Sequence, residues 1–463
     1  MISSAVADGG MWVKPHDSDL WGLHSEEKQF CAINYQDGYQ NMILNIAIDP
    51  NIEGERAVWI FPVPSNPEET IIDIVKAFPE IRGRDIKREA KENIKGIFSL
   101  LRVTQIYPIP FELARYVVFG GVGKFAGDME YAMAPTESLV EVHEHIEEYG
   151  LATELITAKD STALWNYLAL KDVELPEDSK KVFRDYIGEE YSFVVSWIND
   201  IDEFKREKFG YMYEEEYDQY DEYTRNKMVE RMPYYDNVLI GVEVDFPTDR
   251  MYFPLKPTSV YGSQRVPAVI YVMDHVIPDL YPNIKKDSSV EYYYDNHYYV
   301  PHELENFFFN EPVQKDLEYT KITVNPPSKL LTDDLWMDLG APTSVNIASS
   351  FVKYPIFYFF FFWIVLSVLA SILAALIIFR KDRLPIWKFA LWGLWNLLSI
   401  IGFLIATIFF KTKSVDPKLR RDLRRRGIRV VAKDLRKIGY VALFSGLFVG
   451  LTIVLEVILR LLM

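Results

Sequence analysis

A single cysteine, Cys31, stands in a chain of 463 residues, so no internal disulfide and no Cys-based zinc site can form. Cys31 lies in an apolar run and reads as a buried thiol. Histidine is scarce, with seven in all. The glycine-rich stretch 119–127 contains Gly123-Lys124 but no Ser or Thr after the lysine. It lacks the spacing of a phosphate-binding loop and reads as a surface loop. No Asp-x-Asp-x-Asp-Gly loop is present, so Asp287 and the run Glu214 to Glu216 read as solvated surface rather than a calcium site. Glutamine is also rare, with seven residues, whereas Glu, Lys, Arg and Tyr are plentiful. That tilt suits a heat-adapted, archaeal type of protein.

Charge is absent from two long windows and nearly so from a third. Ile356 to Phe379 and Phe389 to Phe410 carry none, and Ile438 to Leu459 carries Glu456 alone. At 1.5 Å per residue each is long enough for a hydrocarbon core of about 30 Å. The expectation is three transmembrane helices, about 356–379, 389–410 and 438–459. Trp363, Trp387, Trp392 and Trp395 supply interfacial aromatics. Glu456 and Arg460 are four apart and read as an intrahelical pair near the membrane edge.

The charge that is present is split. Residues 1–354 hold 33 Lys and Arg against 61 Asp and Glu, and residues 355–463 hold 17 against 5. The acidic part repels phosphates, which excludes nucleic acid as its partner. Residues 411–437 carry twelve Lys and Arg against three Asp, with Leu419, Leu423, Val431 and Leu435 at helical spacing. This reads as a basic amphipathic segment on a lipid headgroup surface.

Topology presents a conflict. Ala5-Val6-Ala7-Asp8 has the form of a signal-peptidase site, so residues 1–7 read as a signal-peptide remnant and residues from Asp8 as exported. Three crossings, however, would put the basic segment on the same side as the acidic region, and the positive-inside rule opposes that.

Between residues 8 and 325 the pattern is α+β and β-rich, with helical insertions. Asp37-Gly38 separates two apolar runs as a hairpin turn, and Tyr149-Gly150 separates two more. Arg56 to Val63, Tyr191 to Ile198, Val238 to Asp245, Met251 to Leu255 and Val266 to Met273 read as further strands. Helices are expected from Pro67 to about Phe78, from Asp85 to about Leu101, after the N-cap Asp160, and near 177–186. Residues 201–232 read as a charged, tyrosine-rich helical insertion, and 326–354 as a juxtamembrane linker before the anchor 355–463.

Four segments carry a family resemblance. They are Asp8-Gly9-Gly10; Trp59-Ile60-Phe61-Pro62-Val63-Pro64; the stretch from Tyr149-Gly150-Leu151 through Leu164-Trp165-Asn166-Tyr167-Leu168 to Tyr186 and Phe193; and Phe246-Pro247-Thr248-Asp249 with Phe253-Pro254-Leu255. With these, residues 8–275 resemble domain-of-unknown-function family 2330. The resemblance implies exported, often membrane-tethered proteins and no known activity. The chain departs from the pattern in lacking a Cys beside Asp8-Gly9-Gly10 and in its tyrosine-rich insertion.

Candidate chemistry is thin. Glu141, His143 and His145 alternate in an expected strand, which would put all three on one face as a metal site uses. A polar strand face explains them equally. His16 beside Asp17 and Asp19 is a similar case, and Asp274-His275 is a candidate orienting pair with no assignable nucleophile. Nothing points to a cofactor. Tyr- and Phe-rich clusters such as 292–309 suit contact with a protein or glycan, or a β-rich core. The expectation is a membrane-anchored extracytoplasmic binding or scaffold module. The alternatives are a tethered metal-dependent hydrolase and a sensor or transport-complex subunit.

Overall fold

The structure is a computed structural model. It describes residues 10–14, 22–23, 29–45, 56–105, 140–173, 175, 177–188, 190–209, 239–310, 314–379, 385–398 and 432–463, with 401, 403–405, 407, 421, 422 and 425. Residues 1–7, the glycine-rich 119–127, residues 210–232 of the insertion, nearly all of 411–431, and His16 and His24 lie outside the described residues. The chain divides into two compact units, Met1–Arg84 with Lys124–Ala341, and Asp85–Gly123 with Pro342–Met463.

The strands are, in order, β1 (Gly10–Lys14), β2 (Gly22–Leu23), β3 (Gln29–Gln36), β4 (Tyr39–Asn45), β5 (Arg56–Val63), β6 (Ile71–Val75), β7 (Arg84–Asp85), β8 (Val140–Glu148) and β9 (Leu151–Ala158). There follow β10 (Ser192–Ile198), β11 (Gly241–Pro247), β12 (Met251–Phe253), β13 (Ala268–Val272), β14 (Val276–Pro278), β15 (Ser288–Tyr299), β16 (Gln314–Val324) and β17 (Leu335–Leu339). They form a six-stranded sheet, β2-β1-β5-β10-β9-β8, an eight-stranded sheet, β6-β11-β4-β3-β13-β16-β15-β7, and a three-stranded sheet, β12-β17-β14. The α+β, β-rich class expected from sequence is present.

Period-two burial explains the layering. Cys31, Ile33, Met42, Leu44, Val242, Val244, Ile270 and Ile322 face one way from the eight-stranded sheet. They share a core with Trp59, Phe61, Leu155 and Val194 of the six-stranded sheet. The far side of the six-stranded sheet, with Trp12, Ile60, Ile156 and Val195, is covered by Leu164, Leu168 and Phe183 from the helices Ser161–Leu170 and Glu177–Phe183. The far side of the eight-stranded sheet, with Ala32, Ile43 and Leu317, is covered by Leu304, Phe307 and Phe308. Burying each such side chain contributes about 1.5–3 kcal/mol.

Both sequence-read hairpins form. Asp37 and Gly38 turn at φ 53° and 88°, and Tyr149 and Gly150 at φ 53° and 75°. Asp160 caps its helix by accepting from the Ala163 N–H at 2.8 Å. Two readings need correction. The expected helix from Pro67 to Phe78 is a 3-10 turn, Pro67–Glu69, followed by β6, because Ile71-Ile72-Asp73-Ile74-Val75 is β-branched and buries Ile72 and Ile74 on one face. Residues 326–354 do not form a linker. Leu331, Leu335 and Met337 are fully buried in the first unit's core, and Thr343–Lys353 is a helix of the second unit.

The second unit is helical. The Ile86–Val103 helix, read from sequence as part of the acidic region, belongs here. Asp85 caps it, and its apolar stripe Ile86, Ala90, Ile94, Ile97, Phe98 and Leu101 is buried. It packs on the helices Thr343–Lys353, Pro355–Ile378 and Ala432–Leu462. Among the described residues two helices are long and apolar enough to cross a membrane, Pro355–Ile378 and Arg436–Leu462. Within the window 389–410, expected as a third span, the described residues are the end of a helix Ile386–Leu394, a 3-10 turn at Trp395–Leu398, and helical positions at 401, 403–405 and 407. Glu456, read as pairing with Arg460 alone, also meets Arg102.

Candidate ligand-binding cleft

An open cleft of about 820 Å³ lies in the first unit. Its lining includes Gly38, residues 64–67, Glu69, Thr157, Glu190, Tyr191, residues 247–250 and Trp336. Four loops build it. The tip of the β3–β4 hairpin is joined to the 247–250 loop by the Thr248 N–H, which donates to the Gly38 carbonyl at 2.8 Å. The Tyr35 hydroxyl donates to the Thr248 and Asp249 carbonyls at 3.0 and 3.2 Å, fixing the same loop. Pro64 and Pro67 stiffen the segment leaving β5. The Ser192 hydroxyl donates to the Ser65 carbonyl at 2.7 Å, tying that segment to the start of β10.

The aromatic wall continues inward. Trp336 lies 5.0 Å from Tyr252 by ring centroid, Tyr191 lies 6.4 Å from Tyr252, and Tyr186 lies 5.1 Å from Tyr191. Beneath this array the Asp334 carboxylate gathers donors. The Tyr186 hydroxyl donates to it at 2.9 and 3.0 Å, the Tyr252 hydroxyl at 3.1 Å, and the Lys256 backbone N–H at 2.9 Å. Burial pushes the Asp334 pKa up to about 6, and these donors oppose that rise. Burial, with Asp334 close by, pushes both tyrosine hydroxyls well above their ordinary range, so they remain donors. The Lys256 ammonium pairs with Asp185 at 2.7 Å and lies 5.5 Å from the centre of the Tyr186 ring.

At the rim Arg250 is held by Asp338 through two bonds of 2.7 and 2.8 Å and by Asp279 at 3.4 Å. Its charge is therefore committed. Glu69, Glu190 and Asp249 leave the cleft acidic on balance. The chemistry offered is aromatic faces for stacking and carboxylates that accept hydrogen bonds. Sequence reading singled out none of these as a site, because the lining comes from six separated segments. A signal existed nonetheless: Pro64 follows β5 and Pro247 ends β11, and both prolines mark loops that build the cleft.

The sequence candidates fall elsewhere. A bulge between Val142 and Glu144 breaks the alternation of β8. The His143 ring meets the Thr157 hydroxyl at 2.9 Å, whereas His145 meets Glu154 at 2.8 Å and Glu147 at 3.0 Å. Thr157 and Glu154 are three apart on β9 and so point to opposite faces, which removes the shared face expected for Glu141, His143 and His145. Among the described residues no three His, Cys, Asp or Glu side chains are placed to hold a metal ion. Asp274 accepts from the backbone N–H of His275 at 2.6 Å, while the His275 ring meets the Tyr293 carbonyl and Glu318. Within 292–309, Tyr292, Tyr298, Phe307 and Phe308 are buried core residues. Cys31 is buried, as its apolar run implied.

No known protein-family profile matches the chain, and no curated protein sequence is significantly similar to it. Two solved structures show a distant likeness. One is a mutated baculovirus P35 after caspase cleavage, 8% identical over 68% of this chain and 100% of its own, with a TM-score of 0.25. The other is baculovirus P35, 10% identical over 68% of this chain and 96% of its own, also at 0.25. Likeness at that level carries no inference about fold or function.

Proposed function

We propose that this protein is a membrane-anchored, extracytoplasmic binding module that seats a glycan in the Tyr191–Trp336 cleft and performs no chemistry on it. The cleft carries the reading: two aromatic faces and three carboxylates, with the local arginine already paired, suit a neutral or cationic hydroxyl-rich ligand. The strongly acidic first part of the chain disfavours anionic ligands in the same way. The two apolar helices support the membrane anchor. The likeness to family 2330 and the Ala5-Val6-Ala7-Asp8 sequence support export. No separate observation favours the hydrolase or transport readings.

The test is a panel of neutral and amino sugars, with acidic sugars and short peptides as comparators, followed by tryptophan fluorescence. Trp336→Ala and Tyr191→Ala should each weaken binding at least tenfold while the melting temperature stays within a few degrees. Saturable binding of peptides alone would replace the glycan with a protein partner. Binding unchanged by both substitutions would remove the cleft from the reading.

A further inference from the structure

The second apolar window does not run alongside its neighbours from end to end. The Pro355–Ile378 helix gives the ruler. At its far end the Arg436 guanidinium donates to the Ile378 carbonyl at 2.8 Å, and Phe379 lies 5.4 Å from Tyr440. The Ala432–Leu462 helix therefore starts where the first one ends. Its Glu456 reaches Arg102 at 2.7 Å, and the helix carrying Arg102 meets the near end through Phe98 and Phe362, 5.2 Å apart, and through Asn93 and the Phe351 carbonyl. The two long helices are antiparallel.

Three spans in succession would have made them parallel, so the window between must return to the side it left. Its contacts trace that path. Phe389 lies at the far end, 5.9 Å from Phe379, and its carbonyl accepts from the Ser371 hydroxyl at 2.6 Å. Gly393 passes so close to the first helix that an added Cβ would sit 2.6 Å from the Ser367 carbonyl oxygen. Asn396 donates to the Ser367 hydroxyl at 2.9 Å, and Ser367 is the midpoint of the first helix. There the 3-10 turn Trp395–Leu398 intervenes. Seven residues beyond Asn396, Phe403 stacks on Phe444 at 4.0 Å and lies 5.5 Å from Tyr440, back at the far end. A helix continuing straight would instead have advanced about 10 Å the other way.

We infer that the segment carrying Phe389, Gly393, Asn396 and Phe403 is a re-entrant hairpin that enters the membrane to its middle and leaves on the side it entered, so that the chain crosses twice. The inference rests on the membrane-anchor reading. Irregular backbone at membrane depth is tolerated where protein covers it, and fully buried Asn396, bonded to Ser367 and 3.4 Å from Gln105, meets that condition. The charge conflict then disappears. Residues 380–385 and 411–437, with fifteen Lys and Arg against four Asp, lie on one side, and the acidic residues 140–354 lie on the other. Positive-inside bias and export now agree.

The test uses a Cys31→Ala background carrying either Lys286→Cys or Lys413→Cys. A membrane-impermeant maleimide is applied to sealed vesicles of both orientations, and only membrane-inserted protein is scored. Labelling of the two positions from opposite sides is the expected result. Labelling from the same side means three crossings and overturns the hairpin. Protein released by alkaline carbonate without detergent overturns the membrane reading itself, a distinct result. Protease cleavage within 411–431 from each side repeats the assignment on the unsubstituted chain.

Discussion

Arg102 and Glu456, 354 positions apart in sequence, form a 2.7 Å ion pair inside the helical unit, with Arg460 3.7 Å from the same carboxylate. Glu456 keeps 13% of its side-chain surface exposed and Arg102 28%, so the pair is shielded more than a surface bridge. Arg102→Met leaves a half-compensated carboxylate among apolar helices. The expected cost is about 1–3 kcal/mol, read as a lower melting temperature in detergent. Adding Glu456→Gln to Arg102→Met should recover most of that loss. A double variant as unstable as the sum of the two singles would show that no coupling exists.

Acid residues on the eight-stranded sheet set a pH dependence of unusual sign. Glu243 sits opposite Asp73, with Asp245 two residues along. Burial, reinforced by both neighbours, pushes the Glu243 pKa up to about 7, and burial pushes that of Asp245 up to about 6. Both folded values exceed the unfolded ones, so the folded protein holds protons that the unfolded chain releases. The resulting stability is complete below about pH 4 and is lost as pH rises through 6 and 7. The melting temperature should fall between pH 5.5 and 8, and Glu243→Gln should raise it at pH 8 by on the order of 1–3 kcal/mol in equivalent stability. A flat profile in the unsubstituted protein would contradict the burial of these groups.

Asp334 is the acceptor for three donors from two segments, Tyr186 and the stretch 252–256. Asp334→Ala strands two buried hydroxyls and a backbone N–H, at an expected cost of about 2–4 kcal/mol. Asp334→Asn keeps one acceptor and should cost roughly half as much. Urea unfolding of both variants checks the order; equal midpoints for Ala and Asn would show that the hydrogen bonds contribute little.

Two turn glycines share a backbone conformation and differ in surroundings. Gly38 has φ +88° and open space where a Cβ would go. Gly150 has φ +75° and would put a Cβ 2.4 Å from the Asp200 carbonyl oxygen and 2.5 Å from the Phe204 amide nitrogen. Gly38→Ala should cost about 1 kcal/mol, from φ alone. Gly150→Ala has to move the start of the Ile201–Phe209 helix as well and should cost several times more, measured by thermal melting.

Local rules made much of the fold legible. The Asp37-Gly38 and Tyr149-Gly150 turns, the Asp160 cap and the strands from 56 to 63 and 192 to 198 follow from turn chemistry, capping and alternation that need no distant partner. What was missed depended on tertiary context. Ile71 to Val75 became a strand because β11 offered it an edge. Leu335 and Met337 were read as linker because their partners, β12 and β14, lie some 60 to 85 positions earlier. The 389–410 window passed every length and hydropathy test for a span, yet the close approach of Gly393 to Ser367 and the break at Trp395 are invisible to composition. The cleft was hidden for the same reason: Pro64, Tyr191, Asp249 and Trp336 become neighbours only after folding.

The Ile86–Val103 helix is translated well ahead of every helix it packs against, the first of which begins at Thr343. During biosynthesis its oily side has to wait, uncovered, while more than two hundred further residues emerge. The bundle is therefore the last part of the molecule able to close. A protein cut short at Ala341 would keep that waiting helix for good, and would tend to stick to itself and to lipid even though every hydrophobic span had been removed.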